Sequence, residues 1–233
     1  MTMPLPAEAA PTVARHWQQG PLVDRDMLEQ LFEINRIYLD FLASRLPVRL
    51  TGERLESGIR LQRPPSVAPQ HRCGQLANLP PAARHLLARC PFSLFTARFN
   101  DGAFWGGLAQ ANGVHEVAPP YASHKLALDG AAVADLALFY AWHLVRASRL
   151  VARILLGMNE QTLSAFQRLP LTRLQQLALE QPTILTLRWQ DRGPFWRSVL
   201  SLASLGNEER LGDLRLLGIQ MIASELIESR SPA

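Results

Sequence analysis

The sequence predicts a mostly α-helical protein made of two related helical repeats, each carrying one short β-strand. Three observations lead there. Leucine and alanine dominate the apolar residues, which make up 48% of the chain, while β-branched residues are few; this balance favours helix over sheet. Apolar residues recur at three and four positions over long stretches, the period of one helix face. A series of residues in the first half also returns in the same order in the second.

Residues 1–22 hold Pro4, Pro6, Pro11 and Pro21 without a steady period and read as a flexible N-terminal arm. From Asp24 onward, Leu28, Leu31, Phe32, Asn35, Tyr38, Leu39 and Leu42 lie on one helix face. Asp24 or Asp26 can satisfy the free amides at its start, and Pro47 limits its end. The 48–72 segment, rich in Gly and Pro, reads as an inserted hairpin or clasp. A short helix is expected over 79–88, a strand over 92–99, and a turn at Asn100-Asp101-Gly102.

The second half begins near Asp129. Val133, Leu136, Ala137, Tyr140, Leu144, Ala147, Val151 and Leu155 predict a long helix over about 133–155. Asn159 caps the next helix, with Leu163 and Phe166 inward, and Pro170 opens another through Ala178. Residues 183–189 form the clearest strand, bounded by Pro182 and by 191–193. A last amphipathic helix over 208–228 has Asn207 as its cap and Leu211, Leu214, Leu217, Met221, Ile222 and Leu226 on its apolar side. The implied organisation is an arm at 1–22, a first repeat at 23–110 containing the 48–72 insert, a linker at 111–128, a second repeat at 129–205, and a C-terminal helix at 206–229.

The repeat rests on paired residues. Leu79-Pro80 and Leu87-Ala88 answer to Leu169-Pro170 and Leu177-Ala178 at a separation of 90, as do Arg98 and Asp101 to Arg188 and Asp191. Pro91 and Phe104-Trp105 answer to Pro182 and Phe195-Trp196 at 91, and Leu31-Phe32 to Leu138-Phe139 at 107. Coincidence among common leucines and prolines is the plain alternative, but Phe-Trp is a rare pair and follows the strand both times. Phe104, Trp105, Phe195 and Trp196 are therefore expected to anchor the short helices after the strands. Units this small bury their own apolar surface poorly, so the two should pack together.

Charge and cysteine usage bound the function. The chain of 233 residues carries 24 Lys+Arg against 20 Asp+Glu, a formal +4 that permits nucleic-acid contact without demanding it. The excess is arginine, Lys125 being the one lysine; arginine suits bidentate contact with phosphate or carboxylate, although a GC-rich genome gives the same bias. Cys73 and Cys90 make no disulfide framework, which fits a reducing compartment. The first eight residues have neither a basic start nor an apolar run. The longest apolar stretch, 131–141, is broken by Asp135 and falls short of a membrane span of roughly 20 residues. The chain reads as cytoplasmic, with no membrane partner.

Chemical motifs are sparse. His71, Cys73, His85 and Cys90 are four possible zinc ligands within a short stretch, but they lack the close Cys-x2-Cys pair of structural sites, and no metal or other cofactor is expected. There is no Gly-x-Ser-x-Gly elbow, Walker loop, Gly-x-Gly-x-x-Gly or His-Glu-x-x-His. An enzyme is not expected. Arg146, Arg149 and Arg153 recur at three and four on the 133–155 helix, and such a row can track DNA phosphates; Arg168 and Arg173 would extend the surface. The plain alternative is a solvated helix face, and no recognition-helix signature supports base readout.

Residues 28–39, Leu-Glu-Gln-Leu-Phe-Glu-Ile-Asn-Arg-Ile-Tyr-Leu, resemble the first helix of the FlhD family of bacterial flagellar transcriptional regulators. Leu156-Gly157-Met158-Asn159-Glu160-Gln161 is similar to that family's Leu-Gly-Ile-Asn-Glu-Glu segment, and residues 169–178 with the strand ending in Arg188-Trp189 follow as they do there. The resemblance covers about two-thirds of the chain, which departs from the family in its length, its duplication and the 48–72 insert. It implies a dimerising helical regulator that works on promoter DNA with a second activator subunit, a zinc protein in the family. The expected function is thus a transcription-regulator scaffold contributing phosphate contacts. A secretion-system or assembly adaptor or chaperone, binding protein alone, is the alternative from another class.

Overall fold

The computed structural model describes residues 23–45, 76, 78–110 and 125–229. The arm, the 48–72 insert with His71 and Cys73, and most of the expected linker lie outside the described residues. Among the described residues, nine helices and two short strands follow in the order α1 (Arg25–Arg45), α2 (Pro81–Ala88), β1 (Phe95–Thr96), α3 (Gly102–Gln110), α4 (Lys125–Ala147), α5 (Arg149–Leu156), α6 (Glu160–Arg168), α7 (Leu171–Glu180), β2 (Thr186–Leu187), α8 (Gly193–Ser204) and α9 (Glu208–Glu228). The fold is mostly α. Helix α4 opens at Lys125, inside the stretch expected to be linker.

Local chemistry sets most helix ends. Pro80 and Pro170 stand at the N-caps of α2 and α7, where a missing amide costs nothing. Asn159 and Asn207 cap α6 and α9, accepting from the amides of Thr162 and Arg210. Gly157 ends α5 in the left-handed region at φ 68°, a conformation glycine adopts without a Cβ penalty.

The long helix expected over 133–155 is two helices. Ser148 is extended, at φ −159° and ψ 110°, and its hydroxyl accepts from the Val151 amide as the N-cap of α5. A serine that bonds its own backbone competes with helix continuation, and a continuous apolar stripe gave no warning of the break. Arg146 therefore sits on α4 while Arg149 and Arg153 sit on α5.

Both strands are shorter than expected, two residues each, and they pair antiparallel with Phe95 opposite Leu187 and Thr96 opposite Thr186. The expected strand over 92–99 loses its ladder because its backbone is committed elsewhere. Buried Asn35 on α1 donates to the carbonyls of Ala88, Cys90 and Phe92 and accepts from the Leu94 amide at 2.9 Å. The Ser93 amide donates to Leu155 O. Beyond each strand the chain turns through a non-glycine residue of positive φ, Arg98 at 57° and Trp189 at 50°.

These turns correct the alignment by one residue. Arg98 occupies the place of Trp189, Ala97 that of Arg188, and Asp101 that of Arg192, all at a separation of 91. The Asp101 amide donates to Arg98 O and the Arg192 amide to Trp189 O, both at 2.8 Å. The Trp105 indole donates to the carbonyls of Ala97 and Arg98, and the Trp196 indole to that of Arg188. Trp105 and Trp196 are buried, Phe195 is buried at its margin, and Phe104 is half-buried. The two indoles tie α3 and α8 back to the strand ends.

One apolar core joins these elements. Helix α1 packs on α2 and α4, α4 on α7, α3 on α6, and α8 on α2 and α9. Buried aromatics meet at the centre, Tyr38 tilted on Phe95 and Trp105 on Phe166 with centroids 4.5 Å apart. On α9, Leu211 and Ile222 are buried and Gly218 lies against Phe92, where a Cβ would stand 2.3 Å from the ring. This close approach fixes the rotation of α9 and leaves Leu217, expected inward, on the exposed side with Leu216 and Ile227. No described helix is long and apolar enough to cross a membrane.

Candidate functional site

Helix α4 runs beneath two adjoining surface features, an apolar groove and an arginine cluster. The groove, of about 660 Å³, lies between α1 and α4. Its floor is Ile34, Ile37 and Tyr140, and its walls are Leu136, Phe139 and His143 on one side and Glu29, Gln30 and Glu33 on the other. Tyr140 is fixed from below, its hydroxyl donating to Met27 O at 2.9 Å, and burial pushes its pKa up. Phe139 stays 46% exposed. Leu136, read from sequence as part of the inward stripe, lies on the exposed wall instead.

The sequence did hold a signal for this groove. Apolar residues cover more of α4 than one buried face can use, since Leu136 and Phe139 stand beside Val133, Ala137 and Tyr140. A helix that is apolar over so wide an arc has a second surface to cover. Two carboxylates, Glu29 and Glu33, line the groove, and each has an arginine partner. Arg36, the hydrogen-bond partner of Glu33, holds its carboxyl below the ordinary glutamate range. Glu29 pairs loosely with Arg25 at 4.0 Å, and the pair is largely in solvent.

Toward the C-terminus of α4 the surface becomes cationic. Phe139 stacks with Trp142, and the Arg146 guanidinium lies over the Trp142 ring, 4.2 Å from its centroid. Arg146 also donates to Gln167 O, and Arg149 donates to the Gln167 side chain at 2.6 Å. Arg149 and Arg153 both reach Glu160 on α6, the latter at 3.8 Å. Arg168 is exposed on α6 beside a shallow groove that Glu160, Gln161 and Ser164 also line. The structure thus brings Arg146, Arg149 and Arg153 together, but around a bend and across to α6 rather than along one helix face. Arg173 stands apart on α7, paired with Glu180 at 3.2 Å. Two arginines share one glutamate at the bend, so Glu160 leaves a cationic excess there.

A buried ion pair escaped the sequence reading. Arg188, 4% exposed, donates to Leu156 O at 3.1 Å, to Ser93 Oγ at 3.3 Å and to Glu225 at 3.1 Å. The Trp189 indole donates to the same carboxylate. Gly157 is what admits the guanidinium, because a Cβ there would stand 1.8 Å from its Nη2. Burial pulls the Arg188 pKa down and Glu225 opposes that pull. Glu225 lies 37 residues away on a helix whose register cannot be read from periodicity alone. The contact's role is structural, tying α9 to β2 and α5.

Of the four possible metal ligands, Cys90 is buried and its thiol is pushed up to about 12, chiefly by burial; a thiol so placed is a poor nucleophile and a poor ligand. No cluster of three or more His, Cys, Asp or Glu residues suited to a metal occurs among the described residues. Comparison with protein-family models, with curated proteins and with solved structures finds no match for this chain.

Proposed function

We propose that this chain is a bacterial transcription-regulator subunit that serves as a scaffold, binding a partner activator and adding phosphate contacts to promoter DNA. The observation that carries the reading is the juxtaposition along α4: an open apolar groove with Phe139 exposed, continuous through Trp142 with the arginines at 146, 149 and 153. Exposed aromatic surface of this kind suits protein docking, while an arginine excess suits phosphate. The architecture in this proposal is a tandem pair of repeats resembling the FlhD family. Support comes from the two turns of positive φ and the two indole hydrogen bonds at a constant separation of 91. In such a chain the two repeats pack on each other as the subunits of a dimer would.

The test is co-purification of the partner from the native host, followed by DNA binding of the complex at several salt concentrations. Phosphate contacts release counterions, so binding should fall steeply with salt. Replacing Arg146 and Arg149 together by alanine should weaken it and flatten the salt dependence. A complex that contains secretion or assembly components and ignores DNA at low salt would move the protein to the adaptor class. One observation favours that second reading: Glu160 and Gln167 already engage Arg149, leaving fewer free guanidinium donors than the arginine count suggests.

A further inference from the structure

We infer that Gln167 and Glu160 set the phosphate affinity of the arginine surface in opposite directions: Gln167 holds Arg146 and Arg149 together, and Glu160 competes with phosphate for Arg149 and Arg153. The inference rests on the scaffold reading and names two residues that tune its phosphate contacts. The three arginines come from both sides of the bend at Ser148, Arg146 from α4 and the other two from α5. Gln167 on α6 spans that bend. Its backbone oxygen accepts from Arg146 at 3.4 Å, and its side-chain oxygen accepts from Arg149 at 2.6 Å. The Trp142 ring supports Arg146 from its face. These contacts are neutral, so they orient two guanidinium groups and leave their charge uncompensated. Glu160 does the reverse. It gives one carboxylate oxygen to each arginine, Oε1 to Arg149 and Oε2 to Arg153 at 3.8 Å, and so fills neither guanidinium fork. A phosphate brings more acceptor oxygens, and an arginine fork grips two of them at once. The Glu160 side chain is 60% exposed, and an ion pair so open to water is weak enough for a phosphate to displace. Glu160 also stands in the first turn of α6, where negative charge is favoured, and an incoming phosphate meets the same helix end.

Isothermal titration of the full chain with inorganic pyrophosphate at low salt tests this, because the probe needs neither DNA nor a partner subunit. Glu160→Gln keeps the shape of the side chain and removes its charge. It should bind pyrophosphate about fivefold more tightly, the weight of one charge roughly 4 Å away in water. Gln167→Ala leaves the formal charge unchanged and releases Arg149, so it should bind about fivefold more weakly. Its thermal unfolding curve should not move, because Gln167 is exposed. Asp191→Asn removes the same charge beside Arg192, outside the cluster, and should leave the affinity as it is. With the native complex and a short labelled DNA duplex, Glu160→Gln should steepen the slope of log affinity against log salt by about 0.9, one more phosphate contact. Equal pyrophosphate affinity in wild type and Glu160→Gln, or an equal gain in Asp191→Asn, would overturn the inference. So would Gln167→Ala binding as tightly as wild type, an unchanged salt slope on bound DNA, or no pyrophosphate binding by Glu160→Gln. The scaffold reading fails separately: if the complex ignores DNA while the three variants rank as expected with pyrophosphate, the anion site stands and the promoter role does not.

Discussion

The segments β1–turn–α3 and β2–turn–α8 have the same kind of turn and differ in what closes them. Both turns pass through positive φ and both are bridged by a tryptophan indole donating back to the strand end. At the first turn, the position of Arg188 is held by Ala97, fully buried, and the positive-φ residue Arg98 lies outside, stacked on Phe104 and paired with Asp101. At the second, Arg188 points inward to Glu225 and the positive-φ residue is Trp189, which packs on Phe92 and Phe195. Helix α6 covers the first segment, held by Asn159, which donates to Asn100 O at 2.7 Å. Helix α9 covers the second, held by a buried charge. One turn geometry is thus closed by neutral hydrogen bonds in one place and by an ion pair in the other.

The largest effect should come from the shared feature. Trp105→Ala and Trp196→Ala should each cost about 3–5 kcal/mol in denaturant unfolding, combining a large cavity with lost indole bonds. Similar losses at both sites would sharpen the equivalence; a cost under about 1 kcal/mol at one site alone would break it.

Next in size is the feature the segments do not share. Glu225→Ala strands a buried guanidinium and should cost about 3 kcal/mol, the lower end of the range for a broken buried pair because Glu225 is partly exposed. Arg188→Met combined with Glu225→Leu should recover most of that loss, as apolar replacement of a buried pair often does. If the double variant is no more stable than Glu225→Ala alone, the ion pair is not what closes the second segment.

A smaller, pH-dependent asymmetry follows from the residues that precede Pro91 and Pro182, which are Cys90 and Gln181. The Cys90 thiol is raised from 9.0 to about 12 in the folded chain. The unfolded chain releases this proton first, so stability is intact below pH 9 and declines as pH rises from 9 toward 12. By pH 10 the loss should be roughly 1.4 kcal/mol, and Cys90→Ala should remove that part of the slope while Gln181→Ala leaves it. An unchanged slope in Cys90→Ala would show that the thiol is not insulated.

The smallest effect separates the two positive-φ residues. Arg98→Gly relieves backbone strain and loses a surface stack, so its net change should lie within about 1 kcal/mol of zero. Trp189→Gly gains the same relief but loses a buried ring, so it should be the more destabilising of the two.

Much of this fold was legible because local chemistry governs it. Asn159, Pro170 and Asn207 announced helix starts, and those helices begin beside them. Each Phe-Trp pair holds one fully buried indole, Trp105 or Trp196. Ser148 shows where such reading stops: the apolar stripe runs through it unbroken, and a short polar side chain decided the break. The candidate site was less legible. Its arginines were visible as residues, but Arg146 and Arg149 were placed on one helix face and stand on two helices. The groove needed the position of α1 against α4, and nothing in either helix alone says which of its apolar residues stays uncovered.

The sequence by itself determined the helix starts at Asn159, Pro170 and Asn207 and that the chain would be mostly helical, because caps, periodicity and proline act over a few residues. Tertiary structure alone decided the two-residue pairing of β1 and β2, the carbonyls gathered by Asn35, the burial of Arg188 against Glu225, and the exposure of Phe139 and Leu217. Each of these depends on residues far apart in the chain competing for the same hydrogen bonds and the same apolar surface, and that competition is resolved only when the helices pack.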